Sequence, residues 1–223
     1  MSWDRPGLCW SEGDNIVTFS QIADALHNVL EASGEEGPFV LVGWSMGGLN
    51  LRAFAILYPD DVAGLILVDG ASEITDEEQI LRDPGVSDFY AKFSMRNLPE
   101  KWLRFRRALA FGLPRLGYPE NPFGKARNAI GFVSWNNRLF WKTISNYRIN
   151  WETSQFQVRG KDKLKNVPLT VITAGQGRAD FLPLWTELQK DGVKLSENSR
   201  HLISEESNHW IPHNQPGIVV DDV

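Results

Sequence analysis

The chain has 223 residues, 42% hydrophobic and 23% charged, which suits one sizeable core with room for a lid. Its formal charge of −5 argues against a nucleic-acid footprint, and no apolar run approaches the roughly 20 residues of a membrane helix. One cysteine, Cys9, excludes an internal disulfide framework and fits a reducing, cytoplasmic setting.

In chain order, "FSQIADALHNVLEA" over 19–32 sets Phe19, Ile22, Ala23, Leu26, Val29 and Leu30 on one helical stripe, with Ser20 as N-cap and Gly34 as stop. Phe39 to Val42 read as a buried strand, continuous rather than alternating, as in parallel sheets. "GGLNLRAFAILYP" predicts a helix ending at Pro59. "VAGLILVDG" and "VPLTVITAG" predict two more buried strands within 62–70 and 167–175. "LPLWTELQKD" predicts a helix, "SRHLISEESNHW" a shorter fourth strand, and "QPGIVVDDV" the start of a final helix. Strand–helix alternation of this kind predicts an α/β sheet, mostly parallel.

Between the second and third strands the alternation stops. Residues 71–165, with Phe89, Tyr90, Phe93, Trp102, Phe105, Phe111, Trp135, Phe140 and Trp141, read as a helical insertion rather than a linker. The chain then divides into a first core part at 1–70, a cap at 71–165 and a second core part at 166–223. The cap aromatics could line an acyl pocket, although packing onto the sheet is the plainer reading for most. Lys101, Arg104, Arg106, Arg107 and Arg115 are read as a solvated helix face in preference to a membrane-surface contact.

The chemistry centres on Gly43-Trp44-Ser45-Met46-Gly47-Gly48, directly after the first strand. A serine hydroxyl is a weak nucleophile until a base takes its proton. A G-x-S-x-G turn between strand and helix lifts that hydroxyl above the carboxyl end of the sheet, where such sheets bind ligands. Ser45 is therefore read as a nucleophile and not as part of a merely tight turn. Of four histidines, His27 reads as a helix-surface residue, His201 as strand packing and His213 as a solvated loop residue. His209, in a loop after the last strand, is the expected base. The third member is a carboxylate that orients the imidazole. Asp180 in "TAGQGRAD" is preferred for the length of its loop, with Asp69 in "LILVDGAS" as the alternative acid.

With these residues in place, the chain resembles the capped α/β-hydrolase superfamily. "GWSMGG" resembles its nucleophile elbow, "DRPGLCWSEG" its D-R-P-G-x-G-x-S stretch with Cys9 in place of a glycine, and "SNHWIPHNQP" its catalytic-histidine loop. The resemblance implies a serine hydrolase acting on carboxylic esters of small or medium apolar acids through an acyl-enzyme, with the Met46 N–H in the oxyanion hole. It implies no cofactor, no metal and no nucleic-acid partner, only a small ester-like substrate. Peptidases, lactonases and acyltransferases share the triad, whereas dehalogenases and epoxide hydrolases carry Asp where this chain has Ser45. In the family the D-R-P-G stretch lies well inside the domain, but here it begins at residue 4. The resemblance thus implies a truncated chain that lacks the first strands, leaving Phe39 to Val42 as an exposed apolar edge, and lacks the H-G-x loop, the source of a second oxyanion donor. Loss of one donor costs on the order of 10²–10³ in rate, so weak activity, or a binding or regulatory fragment, is the expectation for this form.

Overall fold

The structure is a computed structural model that describes residues 1–8, 11–13, 16–71, 142–143, 146–147, 149–160, 164–177 and 182–223, without the side chains of 182–184. In order, its main elements are α1 (Phe19–Ala32), β1 (Phe39–Trp44), α2 (Met46–Leu57), β2 (Val62–Val68), α3 (Trp151–Val158), β3 (Leu169–Ala174), α4 (Leu182–Val193), β4 (Ser199–Ser204), α5 (Ile211–Asn214) and α6 (Pro216–Val220). The four strands form one parallel sheet in the order β1-β2-β3-β4. The expected α/β class is what the chain adopts.

The N-terminus of α1 differs from expectation by two residues. Thr18, not Ser20, is the N-cap, because Gln21 completes a capping box with it: the Thr18 hydroxyl accepts from Gln21 N–H and the Gln21 side chain accepts from Thr18 N–H. Such caps contribute about 1 kcal/mol. Five stripe residues, Phe19, Ile22, Ala23, Leu26 and Leu30, are buried. Val29, the sixth, is exposed.

Both faces of β2 are covered, which is why its sequence shows no alternation. Leu65 and Leu67 join Leu49 and Phe54 of α2, Phe19 and Ile22 of α1 and Val158 of α3 in the larger core. Ile66 and Val68 face a smaller cluster with Ile172, Ala174 and Ile211. Each fully buried side chain of this size contributes about 1.5–3 kcal/mol. β1 departs from the reading of a buried strand: Leu41 and Gly43 are buried, while Val40 and Val42 are exposed. Its sole neighbour among the described residues is β2. The expected cap falls mostly outside the described residues, including every aromatic and basic residue singled out in it; α3 is its clearest described element.

Candidate active site

In a parallel sheet the strand ends on one side carry the loops that build a site, and here three such ends converge. β1 runs into Ser45, held at φ 54 and ψ −126, a region that non-glycine residues rarely enter. α2 starts at the next residue and folds back across the strand. A Cβ at Gly43 would lie 2.8 Å from the Gly47 backbone and from Leu51 Cδ1, so this crossing requires glycine there. β2 runs into Asp69, a second non-glycine residue at positive φ, 42°. Two strained residues on neighbouring strand ends are what a functional site held by its surroundings looks like.

His209 comes from the loop after β4. This loop is tied to the sheet by Gln176 N–H donating to Ser207 O at 2.9 Å and Ser207 N–H donating to Ser204 O at 3.1 Å. Its imidazole Nε2 lies 3.1 Å from Ser45 Oγ, and its Nδ1 lies 2.6 Å from Asp69 Oδ2. Beside an ionised carboxylate Nδ1 carries the proton and donates it, leaving the Nε2 lone pair to accept from the serine hydroxyl. The side chain of His209 is 43% exposed and that of Asp69 only 3%. A buried carboxylate needs donors on both oxygens. Asp69 Oδ1 accepts from Ala174 N–H at 3.0 Å and from Trp185 Nε1–H at 2.7 Å.

Among the described residues, the acid that meets the histidine is the one the sequence reading gave as the alternative. The partner of His209 Nδ1 is Asp69, the residue ranked second; Asp180 itself lies outside the described residues. The physical reason is strand order. β2 lies next to β1, so its end stands beside the elbow, and Ala71 N–H even donates to Ser45 O at 2.9 Å.

The other histidines lie elsewhere. His27, on α1, stacks on Tyr58 at 3.9 Å and sits 3.2 Å from Asp61. His201, in β4, bonds Thr173 Oγ1 at 2.7 Å; burial, with the nearby Lys190 charge, holds its pKa below the ordinary histidine value. His213 is exposed in α5 beside Asn214. Met46 opens α2, and the N–H groups of a first helical turn have no intrahelical acceptor.

Three residues at this site escaped the sequence reading. Trp44, a variable position of the elbow motif, donates from Nε1 to His209 O at 2.7 Å and lies ring to ring with His209 at 5.1 Å. Trp185 and Gln189 reach the 69–70 turn from α4, with Gln189 Nε2 donating to Gly70 O at 2.7 Å. Their spacing of four on one helix was the available signal, but nothing local says which loop that face meets.

Residues 2–216 match the family model described as alpha/beta hydrolase fold, nearly the whole chain. The chain belongs to the alpha/beta hydrolase family. An uncharacterized protein of Schizosaccharomyces pombe is 28% identical over 205 residues, 88% of this chain, and the chain spans 35% of that protein's length. Two solved hydrolase-fold structures share the architecture. A probable hydrolytic enzyme from Pseudomonas aeruginosa PAO1 has TM-score 0.64 at 19% identity, covering 99% of this chain and 74% of that one. A thermophilic esterase from Thermogutta terrifontis has TM-score 0.57 at 21% identity, covering 98% and 75%. At these identities the likeness is one of fold.

Proposed function

We propose that this alpha/beta hydrolase chain carries a serine hydrolase site that cleaves carboxylic esters of small or medium apolar acids through an acyl-enzyme. The observation that carries the reading is the hydrogen-bonded line from Ser45 Oγ through His209 to Asp69 Oδ2. His209 Nε2 takes the Ser45 proton as Oγ attacks the ester carbonyl carbon, and the negative charge that develops moves onto the carbonyl oxygen. The Met46 N–H is the donor this chain offers to that oxyanion. Collapse of the tetrahedral intermediate breaks the bond to the alcohol, which leaves with the proton from His209. Water then attacks the acyl-serine with the same base assisting, releasing the acid and restoring Ser45. Asp69 keeps the ring in the productive tautomer and balances the imidazolium charge.

Fluorophosphonate labelling and p-nitrophenyl butyrate hydrolysis test this reading together. Labelling of the folded chain that disappears in Ser45→Ala is expected, along with Ser45-dependent turnover. Hydrolysis equal in the native chain and in Ser45→Ala would overturn the assignment.

A further inference from the structure

We propose that Trp185 and Gln189, one turn apart on α4, are positioning residues that hold the Asp69 carboxylate against His209; this rests on reading Asp69 as the orienting acid. Asp69 occupies a positive-φ backbone conformation that persists only where neighbours over-determine it. Its carboxylate torsion is intrinsically broad, so one bond from His209 would not fix the plane of the oxygens. The second oxygen decides the orientation. Oδ1 is held between Ala174 N–H, fixed in β3, and the Trp185 indole, fixed by α4.

The peptide after Asp69 is held as well. Gly70 O accepts from Gln189, which is 4% exposed, and Ala71 N–H reaches Ser45 O. Residues 69–71 thus bridge the elbow on one side and α4 on the other. The indole suits this task because it donates without accepting, so it offers the carboxylate a proton and never competes for that of His209. Spacing by four puts Trp185 and Gln189 on one face of α4, so a single helix placement sets both contacts. A plainer alternative is that Trp185 only satisfies its own N–H on the nearest acceptor. Trp185→Phe separates the two, since it removes the donor and keeps an aromatic ring in place.

The full chain, with histidine labelled in 15N, gives the first readout. A proton shared between imidazole and carboxylate at 2.6 Å resonates far downfield, and that signal is expected from His209 Nδ1. Asp69→Asn should abolish it, while Trp185→Phe should move it upfield and speed its exchange with water. The second readout is the rate of Ser45 labelling by a fluorophosphonate. Trp185→Phe should slow labelling by about ten- to a hundredfold, the scale of a small misplacement. In the Asp69→Asn background it should slow labelling no further, because a residue acting through Asp69 has nothing left to position.

Equal slowing in both backgrounds would overturn the proposal, as would an unchanged resonance in Trp185→Phe. Asp69→Asn indistinguishable from the native chain would instead sink the acid assignment itself. If Trp185→Phe fails to fold, Gln189→Met decides by the same resonance: a smaller upfield move is expected, and none would overturn the proposal.

Discussion

β1 and β2 are adjacent strands with nearly the same kind of sequence, yet the fold treats them differently. Both are apolar runs, and both are followed directly by a non-glycine residue at positive φ, Ser45 and Asp69. β2 is enclosed on both faces, and its terminal carboxylate is buried under three donors. β1 leaves Val40 and Val42 exposed, and its terminal serine meets a histidine whose side chain is nearly half exposed. The arrangement has a chemical logic: a nucleophile must meet substrate, whereas an orienting carboxylate works best where water cannot take its place.

Three contrasts test that difference. Largest is the effect on catalysis. Ser45→Ala should lower kcat by about 10⁶-fold, near the cost of losing a whole triad. Asp69→Asn should lower it by about 10⁴-fold with little change in melting temperature, since the shape of the side chain is kept. A large loss of stability with activity retained would return Asp69 to a structural role and reopen the acid position to Asp180.

The second contrast concerns the strands themselves. Leu65→Ala in β2 removes a side chain that is 1% exposed and should cost about 2–5 kcal/mol in urea unfolding. Val42→Thr in β1, at a site 44% exposed, should stay within about 0.5 kcal/mol. Comparable losses would mean that β1 is covered in solution.

The smallest contrast lies at β4, across the sheet from β1. Burial and the Lys190 charge lower the His201 pKa from 6.5, so the folded chain holds this ring neutral where the unfolded chain begins to protonate it. The unfolded state then binds more protons, and stability falls as the pH drops below about 6.5. Melting temperatures of His201→Gln across this range should decline less steeply than those of the native chain. An equally steep decline would assign the acid sensitivity to other groups.

What the sequence by itself determined is local. The apolar runs specified β1 to β3, the helical stripe specified α1, and the glycine-bracketed serine specified the elbow, because each pattern is set by the pitch of its own element. His209 was legible for a related reason: few histidines exist, and it is the first in the loop just past the last strand. The N-cap was also encoded locally, in the pair Thr18 and Gln21, and was misread by two residues. Only the tertiary structure decided which acid meets the histidine. Asp69 and His209 are 140 positions apart, and the length of a loop says less about reach than which strands are neighbours. The tertiary structure set how far the expected opening at β1 reaches: Val40 and Val42 are exposed and Leu41 is buried, while β2 is enclosed. It also decided that Trp185 and Gln189 face the Asp69 turn, because a helix's own sequence gives the spacing of its side chains and the packing of the sheet supplies their partners.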